Sequence, residues 1–128
     1  MPSFRALGIA GFMAISIQTR HAENNITVLV LSGRLTIGDS VSALHDAVED
    51  CVAAGHKDVV LDMHDINYID STGLGGLVTA LTCARNHGGT LRLANVPRRI
   101  QDLLDVSSLY MIFQIIELAS TKIADSAI

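Results

Sequence analysis

Hydrophobic and polar positions change their period several times along this chain, and each change predicts an element. Ile15 and Ile17 alternate with polar neighbours, as in a half-buried strand. The turn residues Glu23–Asn25 follow, and then residues 26–31 form a nearly continuous run of β-branched residues and leucine. Such a run is typical of a central strand covered on both faces. The two strands predict a hairpin, and a loop is predicted over residues 33–38.

Three later stretches carry apolar residues at helical spacing. We expect the first helix to begin at an N-cap formed by Asp39 and Ser40, and to end at Gly55, where a left-handed C-cap glycine belongs. The third follows Pro97, which is well placed at a first helical position. The three apolar stripes consist of Val41, Leu44, Val48, Cys51 and Val52, then Leu74, Leu77, Val78 and Leu81, then Ile100, Leu103 and Leu104.

Short apolar runs between and after these helices complete the pattern. Strands are predicted at residues 58–62, 90–94 and 111–116, and a weak terminal helix at 120–128. Strands that alternate with helices imply crossover connections. The sequence therefore predicts a single α/β domain over residues 13–128, with a mixed sheet of four to five strands and helices mainly on one face. Residues 1–12 differ in pattern and form an N-terminal extension of unassigned role.

Composition narrows the function classes. The chain has 128 residues, 49% hydrophobic residues and a net charge of −4, so it can bury a core, and its scattered basic residues argue against nucleic acid as the main partner. The longest weakly polar stretch, residues 6–15, is too short for a membrane span, and no convincing signal-peptide cleavage site follows it. We expect a cytoplasmic protein whose two cysteines, Cys51 and Cys83, are reduced core residues.

The most informative segment is residues 66–75, which read I-N-Y-I-D-S-T-G-L-G. Ser71 and Thr72 stand between an acidic residue and two glycines, where a strand-like run gives way to a helical pattern. Small residues at such a junction leave the serine exposed and the backbone approachable. Ser71 is therefore a candidate nucleophile, phosphate anchor or phosphorylation target.

The residues that usually accompany a nucleophilic serine or a phosphate-binding loop are missing from the sequence pattern. A nucleophilic serine needs a base, and only His64 is predicted in the same region, while the stretch I-D-S-T-G around Ser71 lacks the first glycine of an elbow of the G-x-S-x-G kind. His64 and Asp62 find no convincing further metal ligands. The glycines at the helix start are not followed by the lysine of a nucleotide-binding loop. We expect neither an enzyme nor a cofactor.

Covalent modification of Ser71 is the third chemistry. If Asp70 lies near the N-cap, Ser71 lies in the first helical turn, where the helix N-terminus favours a phosphoryl group of about −1.5 to −2 charges. Phosphorylation would then spare the fold and change a surface. A modification of that kind behaves as a switch for a docked partner.

The segment V-L-D-M-H-D-I-N-Y-I-D-S-T-G-L-G-G-L resembles the signature of STAS domains, most closely that of bacterial anti-sigma factor antagonists. The resemblance covers residues 14–116. It includes L-S-G-R-L at residues 31–35 and L-L-D-V-S-S-L-Y-M-I-F at residues 103–113. It implies a mixed sheet with helices packed mainly on one side, in agreement with the pattern above.

The resemblance also implies a function. The unphosphorylated antagonist binds an anti-sigma factor that is a serine kinase, which frees a sigma factor; phosphorylation releases the antagonist, and a serine phosphatase resets it. Carried over to this chain, Ser71 is the phosphoacceptor. The implied partner-binding residues are Asp70, Ser71, Thr72, Gly73, Leu74, Gly75 and Thr36. A monomer or weak dimer is expected.

Two positions depart from the family pattern. Thr36 stands where many antagonists carry an acidic residue, which bears on kinase and nucleotide contacts, and Ser108 replaces a common glycine. Asp39 is a candidate spatial substitute for the missing acid. The alternative function is that of a STAS subunit in a transporter or stress-signalling assembly, which docks on its partner without a phosphorylation cycle.

Overall fold

The structure, a computed structural model, describes residues 15–117, and within them the chain forms a five-stranded sheet. The strands are β1 (Ile15–His21), β2 (Ile26–Leu35), β3 (Asp58–Ile69), β4 (Thr90–Ala94) and β5 (Gln114–Ile116). They lie side by side in chain order, with β1 antiparallel to β2 and the remaining pairs parallel. The predicted hairpin and the predicted mixed sheet are both confirmed.

Three helices connect the parallel strands: α1 (Asp39–Ala53), α2 (Ser71–Asn86) and α3 (Arg98–Val106). All three contribute to one large apolar cluster on the same face of the sheet. Its fully buried members include Leu29, Leu35, Leu61 and Leu93 from the strands and Leu44, Leu77 and Leu104 from the helices. A smaller cluster of Val28, Val60 and Ala94 lies on the opposite face. The predicted one-sided arrangement is therefore confirmed.

Two strands are longer than the sequence pattern predicts. β3 continues to Ile69 rather than ending at Asp62, and β2 continues to Leu35 through part of the predicted loop. Both extensions exist because β2 and β3 pair with each other as far as Leu35 and Ile69, whereas β4 pairs with β3 only as far as Asp62. The second half of β3 lacks β4 on one side and exposes polar residues, which resemble a loop in the sequence.

Smaller predictions at element ends also need correction. Gly38, with φ +106°, is the N-cap of α1, so Asp39 is already helical, and Pro97 precedes α3 as its N-cap. Leu103 is 36% exposed rather than on the buried stripe. The last strand is limited to residues 114–116, because a short 3-10 turn occupies Leu109–Met111.

Other details agree with the sequence. Gly55 has φ +97° and ends α1 as expected, and Cys51 and Cys83 are free, buried thiols whose pKa values are raised by burial. The N-terminal extension and the terminal helix predicted at residues 120–128 lie outside the described residues.

Candidate functional site

The site lies where the parallel strands β2 and β3 end together. Leu35 and Ile69 are register partners at the last position of the two strands. Both side chains are buried in the main core. Because parallel neighbours end at the same edge of a sheet, the loop after Leu35 and the start of α2 after Asp70 are brought together.

Asp70 organises this junction. It is the N-cap of α2, and its Oδ1 accepts a hydrogen bond from the backbone N–H of Gly73 at 2.7 Å. Its Oδ2 accepts a second hydrogen bond from the backbone N–H of Ile37 at 3.2 Å. These backbone donors, Gly73 foremost, hold the pKa of Asp70 below its ordinary value, so the carboxylate stays ionised near neutral pH.

Ser71 and Thr72 follow as the first two residues of α2, and both are exposed. The backbone N–H groups in the first turn of a helix lack intrahelical partners, and the helix dipole places partial positive charge there. Asp70 satisfies one of them. Ser71 therefore presents its hydroxyl to solvent in a position that tolerates added negative charge.

The three glycines that follow have different surroundings. A Cβ on Gly73 would collide with the carbonyl oxygen of Leu35 and lie 2.7 Å from Cγ1 of Ile69, so only glycine lets α2 approach β2 this closely. A Cβ on Gly76 would lie 3.0 Å from Cγ1 of Val41 on α1. Gly75 is exposed, and a Cβ there would meet nothing within 4 Å. Packing explains two of the glycines but not Gly75.

The loop between β2 and α1 has a fixed shape of its own. The buried Ser40 hydroxyl donates to the carbonyl of Thr36 at 2.7 Å and accepts from the N–H of Thr36 at 2.8 Å. Thr36 itself is half-buried, and the next side chain, Ile37, is 74% exposed. The loop thus presents a large apolar side chain beside the start of α2.

These contacts bring together the residues that the sequence singled out. Thr36 lies in the loop that is tied to Asp70, while Ser71, Thr72 and Gly75 are exposed on the first turns of α2. Leu74 is half-buried and Gly73 is buried, so Gly73 supports the surface from beneath. The sequence did not single out Ile37, although an isoleucine between loop residues and a glycine was a signal of an exposed apolar side chain.

The structure does not bring His64 beside Ser71. His64 lies within β3 rather than in a loop near the serine, and its Nδ1 lies 2.9 Å from the carboxylate of the neighbouring Asp65. Six residues of extended strand separate His64 from Asp70, which corresponds to roughly 20 Å at ~3.3 Å per residue. His64, the histidine that the sequence predicted in the region of Ser71, therefore lies away from that serine.

A groove between α1 and α2 opens next to the site. It encloses about 510 Å³ and is lined by Val41, Ser42, His45, Asp46, Thr72, Gly75, Gly76 and Thr79. Sequence reasoning missed this groove. The adjacent glycines at 75 and 76 were its signal, because a helix surface without side chains leaves a depression beside the neighbouring helix.

His45, Asp46 and Glu49 form a group beside this groove, with potential ligand atoms within 4.8 Å of one another. Sequence reasoning missed the group, although the i, i+1, i+4 spacing on one helix was visible. All three residues come from α1, and within residues 15–117 no other element adds a ligand to them. A structural metal site draws four ligands, so the group does not define one.

The structure thus combines a small α/β fold with an exposed serine directly after a helix N-cap. A family model described as "Mlab, STAS domain" matches residues 17–114. This chain belongs to the STAS domain family.

Individual relatives narrow the comparison. The chain is 30% identical over 103 residues to the anti-sigma-B factor antagonist of Bacillus subtilis strain 168. The matched region covers 80% of this chain and 92% of the relative. The chain is thus related to the anti-sigma factor antagonists, which are regulatory binding proteins. No helix among residues 15–117 has the length and apolar character needed to cross a membrane.

Solved structures show the same fold. A candidate anti-sigma factor antagonist from Thermotoga maritima superposes with a TM-score of 0.72 at 21% identity, covering 86% of this chain and 93% of that one. The Bacillus cell-fate determinant SpoIIAA in its phosphorylated form superposes with a TM-score of 0.65 at 15% identity, and the match covers 86% of this chain and 97% of that one. A sulfate transporter family protein from Wolinella succinogenes superposes with a TM-score of 0.61 at 14% identity, and the match covers 82% of this chain and 87% of that one. The fold therefore occurs in both signalling and transporter proteins.

Proposed function

We propose that this protein is an anti-sigma factor antagonist of a partner-switching system. It binds an anti-sigma factor that is also a serine kinase and so releases a sigma factor in the cytoplasm. Phosphorylation of Ser71 ends the binding, and a serine phosphatase restores it. The observation that supports this proposal most directly is the exposure of Ser71 at the start of α2. Ser71 directly follows Asp70, which is bonded to the loop that exposes the apolar side chain of Ile37.

The local physics supports a modification that spares the fold. The Ser71 side chain is exposed, so a phosphoryl group adds about −1.5 to −2 charges without displacing core atoms. The N-terminus of α2 favours that charge. The cap hydrogen bonds of Asp70 use backbone N–H groups of Gly73 and Ile37, and modification of the Ser71 hydroxyl leaves both donors in place.

The same modification opposes docking. Ile37, in the loop bonded to Asp70, and the half-buried Leu74, three residues after Ser71, supply apolar area for a partner. A phosphoryl group that is buried against such area loses its hydration without gaining a counter-charge, which is costly. The proposed docking surface therefore adjoins the proposed phosphoacceptor, which supports a switch.

Incubation with the cognate anti-sigma kinase and ATP tests the proposal. We expect one phosphate per chain, located on Ser71 by mass spectrometry. Ser71→Ala should abolish it, while Thr82→Ala, which removes an exposed hydroxyl further along α2, should leave it intact. Wild-type protein that stays unmodified under conditions where the kinase is active, or unchanged phosphate incorporation by Ser71→Ala, would contradict the proposal.

A second candidate function is a STAS subunit of a transporter assembly. The similarity to the Wolinella succinogenes sulfate transporter family protein favours it, as does Thr36 in the loop where many antagonists carry an acid. In that case the protein co-purifies with transporter subunits, and its binding is indifferent to Ser71→Asp. Co-purification with a serine kinase supports the first candidate instead.

A further inference from the structure

Apolar and polar residues both line the groove between α1 and α2. The exposed Gly75 and the buried Gly76 line it on the α2 side, and Val41 lines it on the α1 side. His45 and Asp46 also line it from α1, and the carboxylates of Asp46 and the adjacent Glu49 are here called its acidic rim. Its volume of about 510 Å³ is in the range of binding pockets, which hold a long side chain easily.

Up to Arg85, the formally charged residues of the two helices that form the groove are all acidic. Helix α1 carries Asp39, Asp46, Glu49 and Asp50 and contains no lysine or arginine. Helix α2 has no charged residue before Arg85 in its last turn. Within the described part of the chain, the nearest ion-pairing partner of Asp46 is the imidazole of His45, at 3.9 Å, and neither Asp46 nor Glu49 forms a salt bridge with lysine or arginine.

Glu49 does not line the groove itself but lies beside two residues that do. Its carboxylate lies within 4.8 Å of the ligand atoms of Asp46 and His45. Two carboxylates so close repel each other, and a cation placed between them would relieve the repulsion.

The groove is continuous with the proposed docking surface. Thr72 and Gly75 belong to both, and a Cβ at Gly75 would meet nothing within the molecule. A helical glycine with room for a methyl group costs stability relative to alanine, by roughly 0.5–1 kcal/mol. Close approach of a partner to this backbone accounts for a residue that internal packing does not require.

We propose that the groove receives an arginine or lysine side chain of the anti-sigma partner. The methylene stem packs along Val41 and the backbone of Gly75, and the charged head reaches Asp46 and Glu49. This inference rests on the proposed function and adds the chemistry of the partner. Long basic side chains suit such a groove because they bury an apolar stem while the head meets acidic groups at the rim.

This contact adjoins the phosphorylation site through Thr72 and Gly75 but does not involve Ser71 itself. A charged contact of this kind contributes to the orientation of the partner and to its rate of association. Removal of the rim charges should therefore weaken binding of the unphosphorylated protein and reduce its dependence on salt.

The first test uses small probes and needs no partner. Amide spectra of the ¹⁵N-labelled protein are titrated with N-acetyl-argininamide and, as a neutral control of similar shape, with N-acetyl-citrullinamide. We expect shifts confined to residues 41–49 and 72–79 with the arginine probe, and their loss in Asp46→Asn/Glu49→Gln. Equal shifts with both probes, or shifts outside the groove only, would overturn the proposal.

The second test measures affinity for the cognate kinase. Asp46→Asn/Glu49→Gln should bind at least tenfold more weakly at low salt, with a shallower salt dependence. The control Glu23→Gln/Asp105→Asn removes two exposed charges elsewhere and should change affinity less than twofold. Equal effects of the two double variants would overturn the groove contact. If wild-type protein binds no kinase, the proposed function fails, while the probe titration still decides whether the groove takes a basic side chain.

Discussion

The backbone N–H of Ile37 donates a hydrogen bond to the carboxylate of Asp70 at 3.2 Å, across 33 residues of sequence. The same carboxylate caps α2 through the N–H of Gly73. One side chain therefore fixes the exposed apolar loop relative to the helix start. A change on Ser71, the next residue, occurs at a fixed position relative to that loop.

The pH dependence of stability tests this bond. The pKa of Asp70 is lowered in the folded protein from 3.8, so its stabilising contribution is fully present above the unfolded pKa and is lost as pH falls through the folded pKa. We expect wild type to be more stable than Asp70→Asn above about pH 5, with the difference shrinking below about pH 4. Urea unfolding at pH 7, 5, 4 and 3 measures it, and a difference constant over this series would contradict the assignment.

The glycines of α2 should respond differently to a single methyl group. Gly73→Ala places a Cβ against the Leu35 carbonyl and should cost about 1–3 kcal/mol or more of unfolding free energy. Gly75→Ala, the matched control, should gain about 0.5–1 kcal/mol because the site is helical and open. Denaturant melts of both variants check this. Similar stabilities of the two would show that α2 does not approach β2 as described.

Two serines of α1 offer a second matched pair. Ser40→Ala removes a buried hydroxyl that bonds both backbone groups of Thr36, and should cost about 1–3 kcal/mol. Ser42→Ala changes an exposed residue of the same helix and should stay within about 0.5 kcal/mol of wild type. Thermal and urea unfolding distinguish them. A neutral Ser40→Ala would mean that the loop does not depend on this hydroxyl.

Substitution of two exposed apolar side chains distinguishes a specific contact with the kinase from a general effect of surface hydrophobicity. Ile37→Ser should weaken kinase binding at least fivefold, or about 1 kcal/mol, because it removes apolar area beside Ser71. Val106→Ser alters an even more exposed side chain, 86% against 74%, at the end of α3, and should leave affinity unchanged. Titration calorimetry compares the two. Equal losses would show that the partner does not distinguish the Ile37 loop from another apolar surface.

Much of the fold followed from the sequence because its hydrophobic periods match its elements. The stripes of α1 and α2 and the buried runs of β2 and β4 were visible as spacing alone. The ends of β2 and β3 were not, because β3 beyond Asp62 pairs with β2 but not with β4 and exposes polar side chains such as His64 and Asn67. A local pattern does not reveal which neighbour a strand has.

The candidate site was predictable only in part. The capped serine followed from D-S-T-G at a change of period, and Asp70 is the N-cap as expected. The role of Ile37 depends on the pairing of β2 with β3, and the groove depends on the approach of α1 to α2 at Gly76. Both are tertiary relationships between segments more than 30 residues apart, which single-sequence patterns do not contain.

Binding of the phosphorylated and unphosphorylated protein to its cognate anti-sigma kinase tests the central claim most directly. Titration calorimetry should show at least tenfold weaker binding after stoichiometric phosphorylation of Ser71, which corresponds to about 1.4 kcal/mol. Ser71→Asp should move affinity in the same direction, while Thr82→Asp, an exposed position further along α2, should not. Equal affinity of the two forms would contradict a phosphorylation switch at Ser71.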